Sequence, residues 1–204
     1  FNFYNYTDSK ANGITMLELV LARHGQSYGN LDRSLGSNTE LTDLGRKQAK
    51  RLGNWLVKQG YNFITFYCST LRRAQQTAEI INEHFGLEIR FEKDLRESEV
   101  LYLDVLPQRT NPLSIDPQSS FKAEYEQFYE RVKRVTARIL NENAEGQILV
   151  VGHGGSLATM LRCIFGAHAL LIRTEQAAVH CLRWENNRWN LQYVNRQEHL
   201  LDNQ

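Results

Sequence analysis

Four short stretches carry side chains suited to chemistry on an anion. Arg23-His24-Gly25 sets a cation, an imidazole and a glycine side by side, directly after the apolar run 17–22. Arg72-Arg73, Glu97 and His153-Gly154-Gly155 follow later in the chain. A phosphoryl group in transfer spreads negative charge over its oxygens, so its catalysis is mainly positioning and electrostatic stabilisation. Arg23 and Arg73 offer planar forks for two oxygens each. His153 can donate a further hydrogen bond, Asn30 another, and the backbone N–H groups of Gly154 and Gly155 favour an anion if they open a helix. His24 is the candidate nucleophile, held neutral by the arginines around it. Glu97 can protonate a leaving oxygen and, as carboxylate, activate water. Taken one at a time these residues have plainer readings. They would be a strand-end histidine, a solvated helix arginine, a surface carboxylate and an asparagine that steadies its own turn.

The elements that position them decide between the two readings. Residues 17–22 form an apolar run that reads as a buried strand. Thr42 caps a helix whose apolar positions Leu44, Ala49, Leu52, Trp55 and Leu56 recur at helical spacing, with Gly60 at its end. Residues 63–68 are β-branched and aromatic, a second strand. Ser69 and Thr70 are placed to cap a helix running to about Phe85, and residues 87–91 alternate as a third strand. An amphipathic helix is expected over 121–141, a fourth strand over 148–151, and a helix over 156–165 ended by Gly166. Residues 177–184 and 188–194 read as a hairpin turning at 185–187. Strands alternating with helices predict an α/β three-layer sandwich, a mostly parallel central sheet with helices on both faces. Arg23-His24, Arg73, Glu97 and His153 then fall after four different strands, and such strand ends converge at one edge of a parallel sheet.

Composition narrows the class of function. The 204 residues suffice for one α/β domain over 1–204, and no repeat or linker divides them. Residues 1–14 read as an N-terminal extension. Segment 98–120 holds all three prolines, Pro107, Pro112 and Pro117, and reads as a lid-like insertion in which Tyr102 and Arg109 are placed to touch substrate. The formal net charge is +1, so no global field points to nucleic acid or a membrane surface as partner. Cys68, Cys163 and Cys181 are odd in number and widely spaced, which fits buried free thiols better than disulfides or a metal site. No apolar run reaches transmembrane length, and the first residues lack the basic and apolar regions of a signal peptide. Residue 1 is not Met, which leaves room for residues before it. A cytoplasmic protein with no metal or other cofactor is expected. Its partner would be a small phosphorylated substrate, with free phosphate or sulfate able to occupy the same site, and a homodimer is left open.

The motifs together resemble the histidine phosphatase superfamily, the phosphoglycerate-mutase-like proteins. Arg-His-Gly followed by Ser and Asn is found at Arg23-His24-Gly25-Gln26-Ser27 with Asn30, and Leu-Thr-x-x-Gly at Leu41-Thr42-Asp43-Leu44-Gly45. Ser-x-Leu-x-Arg-Ala-x-Gln-Thr-Ala is found at 69–78, a register that selects Arg73 over Arg72. Leu-x-Glu matches Leu95-Arg96-Glu97, and the second histidine motif matches 151–155. The resemblance covers roughly residues 17–200 and implies a phosphohistidine intermediate on His24 and no metal. Two departures bear on substrate. Residues 98–103 lack the Gly-x-Trp-Glu-Gly that often follows the acid in the family's phosphatases, which leaves Glu99 as a rival proton donor. The long Arg- and Tyr-rich segment of the mutases is also missing, which favours a phosphatase. A phosphoglycerate-type mutase is the first alternative, and a non-catalytic phospho-ligand-binding protein is the alternative of another class.

Overall fold

The computed structural model describes residues 16–98, 106–109 and 122–201. The expected extension at 1–14, Glu99, Tyr102 and most of the expected lid lie outside the described residues; Arg109 lies within them.

Six strands form one sheet: β1 (Leu17–Arg23), β2 (Phe63–Ser69), β3 (Ile89–Glu92), β4 (Gly146–Gly152), β5 (Val179–Glu185) and β6 (Arg188–Arg196). Their order is β3-β2-β4-β1-β5-β6. The first four are mutually parallel, and β5 and β6 add an antiparallel hairpin to the β1 edge. Asn186 and Asn187, both at positive φ (51° and 58°), make the tight turn whose twist matches the two strands.

Alternation along β1 feeds both faces of the sheet. Leu17, Leu19 and Leu21 join the core under α4 (Ala123–Glu142) and α5 (Gly154–Phe165), against Phe128, Val132, Ile139 and Leu157. Val20 and Ala22 join the other core, under α2 (Asp43–Lys58) and α3 (Arg72–Asn82), against Leu52, Leu56, Ala74 and Ile81. This is the period of two that puts successive side chains on opposite faces, here both buried because helices cover both. β4 lies between β1 and β2, so the chain leaves β1, crosses β4 and returns at β2. Strand order reverses at that point, and the carboxyl ends of β1 and β4 open the crevice where such sheets bind ligands.

Several expected boundaries move. Thr42 does cap α2, its side chain accepting from Gly45 N, but Leu44 is half exposed and faces away from the core. Ser69 and Thr70 do not cap α3. Ser69 is still the last residue of β2, and α3 begins at Arg72 behind Leu71. α3 also stops at Asn82 rather than Phe85. The Asn82 side chain accepts from Leu87 N and donates to Leu87 O, and Gly86 at φ 63° lets the chain turn back. α5 starts at Gly154, two residues earlier than expected, with His153 at its N-cap. β3 is shorter than expected and begins at Ile89.

Candidate active site

His24 leaves the end of β1 with its backbone fixed on two sides. Its N–H donates to Gly152 O (3.0 Å) on β4 and its carbonyl accepts from Ala177 N (3.1 Å) before β5. The ring is held as well. Nδ1 lies 2.6 Å from Gly25 O, a carbonyl that can only accept, so Nδ1 carries the proton and Nε2 keeps its lone pair. Arg73 Nε lies 2.9 Å from that Nε2. His24 is 2% exposed, and burial, then Arg73, then Arg23 hold its pKa well below the ordinary histidine value. The result is a neutral imidazole whose Nε2 lone pair accepts from Arg73 Nε, a bond that must open before Nε2 can attack phosphorus.

The two arginines come from different elements. Arg73 sits in the first turn of α3 with its Nη1 on Ser37 O, and it is buried. Arg23 ends β1 with its Nη1 on Thr174 O. Gly154 belongs to the same cradle, because a Cβ there would meet the Arg23 guanidinium at 3.6 Å. His153 lies across from His24, ring centroids 5.0 Å apart. Its Nε2 is 2.8 Å from Ser69 Oγ, and that hydroxyl already accepts from Leu71 N (3.4 Å). Where the Ser69 hydroxyl donates to Nε2, the ring proton sits on Nδ1. Nδ1 is buried and has no hydrogen-bond partner among the described residues. In that tautomer His153 has a donor to offer an anion. Burial, then His24 and the arginines, push its pKa well below the ordinary value.

Glu97 stands at the edge of this cradle. Its Oε2 accepts from Gly155 N (2.9 Å) and its Oε1 from Ser98 N (3.0 Å). A carboxylate at the N-terminus of α5 is where the helix dipole favours it. Gly155 N was expected to face the ligand; it serves the acid instead. Asn30 spends its carbonyl oxygen on Ser27 N and Ser27 Oγ, both at 3.0 Å, closing the turn of the short helix α1 (Tyr28–Leu31). Its amide NH₂ remains to donate. The structure therefore brings His24, Arg23, Arg73, His153 and Gly154 together, with Glu97 beside them and Asn30 on α1.

Sequence reasoning assigned no role to the residues that hold the His24 loop in place. Thr77 Oγ1 accepts from Gly25 N (3.2 Å) and donates to Arg73 O (2.8 Å). Gln76 Oε1 accepts from Leu41 N (2.7 Å), and Gln48 Oε1 from Gln26 N (2.8 Å). The glycine of Leu-Thr-x-x-Gly also has a physical cause, since a Cβ on Gly45 would lie 1.9 Å from Gln26 O. His180 and His199 contact the segment that holds Arg23 and His24. His180 is fully buried and contacts Thr174 Oγ1 (3.1 Å) next to the Arg23 contact, and His199 Nε2 meets Ala177 O (2.9 Å). The signal available was the same motif positions, read for backbone support rather than ligand contact.

The chain matches the model of the histidine phosphatase superfamily (branch 1) over residues 19–197. It belongs to that family. Among curated relatives, it is 27% identical over 193 residues to the uncharacterized phosphatase PhoE of Bacillus subtilis, covering 91% of this chain and 97% of that protein. It is 49% identical over 70 residues to a 2,3-bisphosphoglycerate-dependent phosphoglycerate mutase of Methylorubrum extorquens, a match that spans only 33% of each protein. A mycobacterial glucosyl-3-phosphoglycerate phosphatase solved with VO3 superposes with a TM-score of 0.66 at 25% identity, covering 87% of this chain and 98% of that one. Among the described residues no His, Cys, Asp and Glu group is arranged to hold a metal, and no helix is long and apolar enough to cross a membrane. Cys68, Cys163 and Cys181 are free thiols, the first and last buried and Cys163 half-buried.

Proposed function

We propose that this histidine phosphatase superfamily member is a phosphomonoester hydrolase that works through a phosphohistidine on His24, with no metal. The observation that carries this reading is the His24 ring, with Nδ1–H committed to Gly25 O and Nε2 beside the Arg73 fork. The substrate's phosphoryl group would lie among Arg23, Arg73, His153 and the Gly154 N–H, with Asn30 as a further donor. His24 Nε2 attacks phosphorus in line as the bond to the leaving oxygen breaks, and Glu97 as carboxylic acid protonates that oxygen. Water then attacks the phosphohistidine, Glu97 as carboxylate takes its proton, the phosphorus–nitrogen bond breaks, and neutral His24 returns with inorganic phosphate. The two guanidinium groups supply the positive charge that a metal ion supplies elsewhere.

Rapid quench with a ³²P-labelled phosphomonoester is expected to trap an acid-labile, base-stable adduct on the wild-type chain and none on His24→Ala. An adduct that survives in His24→Ala removes the proposal. Activity is expected to persist in EDTA, and its loss would point to a metal enzyme. The 49% match to a mutase keeps one other activity in view. Isomerisation of 3-phosphoglycerate in place of phosphate release would establish it, and the absence of both turnover and labelling would mark a phospho-ligand-binding protein. The substrate is taken to be a small phosphorylated molecule. The free thiols support a cytoplasmic location.

A further inference from the structure

The loop that carries Glu97 has no ladder of its own. It leaves β3 through a single 3₁₀ turn at Lys93–Leu95, and residues 96–98 belong to no helix or strand. Leu95, fully buried, anchors it to the core. Its backbone carbonyls need donors, and one side chain of α4 supplies them. Arg131 Nη1 donates to Asp94 O and to Arg96 O, each at 2.9 Å, and Nη2 reaches Glu97 O at 3.4 Å. The guanidinium is half-buried and lies over the Phe128 ring, 4.9 Å from its centroid, which fixes the fork from the helix side. On the far side the Glu97 carboxylate meets Gly155 N and Ser98 N. Glu97 is therefore gripped twice, at its carbonyl from α4 and at its carboxylate from α5.

We propose that Arg131 is the positioning residue for the proton donor, acting through the backbone of 94–97 to place the Glu97 carboxyl group at the leaving oxygen. This rests on the reading of Glu97 as acid and base given above. No other side chain among the described residues is shown bridging α4 to these carbonyls. Lysine at 131 would keep the charge near Glu97 and His153 but lose the fork; methionine would lose both.

A positioning role has a signature that simple loss of stability lacks. Proton donation matters for an alkoxide leaving group and hardly at all for p-nitrophenolate. kcat/KM reports the steps through leaving-group departure and not the later hydrolysis of the phosphoenzyme. The experiment compares kcat/KM for benzyl phosphate and p-nitrophenyl phosphate in wild type, Glu97→Gln, Arg131→Met and Arg131→Lys, with melting curves for each. In Arg131→Met the benzyl-to-nitrophenyl ratio is expected to fall about 10-fold to 100-fold, in the direction of Glu97→Gln. Arg131→Lys should show a smaller fall of about 3-fold to 10-fold and serves alone if Arg131→Met does not fold. A ratio unchanged in the folded Arg131 variants while Glu97→Gln lowers it overturns the proposal. A ratio unchanged in Glu97→Gln itself overturns the reading of Glu97, and the proposal with it.

Discussion

The two sides of the pocket are built differently. On one side His24, His153 and Arg73 are between 0% and 8% exposed, and each is hydrogen-bonded to the protein around it. On the other side Glu97 is half-buried on a loop, held by two backbone N–H groups and by Arg131. On the proposed reading the buried side would match what every phosphoryl group has in common, three charged oxygens and a phosphorus to attack. On the same reading the loop side would face whatever the phosphate is attached to. A rigid cradle can serve many esters, while the rim decides which leaving group is served and how well.

Substitutions test that division from the largest effect downward. Replacing His24 with Ala should remove the nucleophile and with it nearly all turnover, about 10⁴-fold or more, for every ester tried. Steady-state rates on several phosphomonoesters measure this, and a residual rate that varied with the ester would blur the division. Arg73→Met should cost about 10²-fold to 10³-fold, again irrespective of leaving group, because it removes charge stabilisation common to all substrates. Glu97→Gln should break the symmetry, with about a 10²-fold loss for benzyl phosphate and little for p-nitrophenyl phosphate in kcat/KM. An equal loss on both esters would assign Glu97 to the cradle instead of the rim.

The smallest expected effect is on stability, and it belongs to the buried side. Burial lowers the pKa of His24 and His153, and that of His180 to about 4. These histidines stay neutral in the fold while the unfolded chain takes up protons near pH 6.5. Stability is therefore full above that pH and is lost as pH falls through it. His180 alone would account for about 2 kcal/mol at pH 5. Thermal melts between pH 7.5 and 5 check this, and a melting temperature independent of pH would show these rings to be solvated.

The layers of the fold were legible in the sequence. Leu19 and Val20 alternate into two cores because both faces of β1 are covered, and the apolar runs show it. That Arg23, His24, Arg73 and His153 would meet could be read in advance, because parallel strands deliver their C-terminal ends to one edge. Only the tertiary structure decided the finer roles. The partner of His153 Nε2 is a hydroxyl at Ser69, 84 residues away in the chain. Gly155 N turned out to hold Glu97, and Arg131, an unremarked charge on an amphipathic helix, turned out to hold the loop beneath it. Hydrogen bonds between side chains and loop backbone leave no period in the sequence. They depend on where two separate elements meet, and that is set by the packing of α4 and α5 against the sheet.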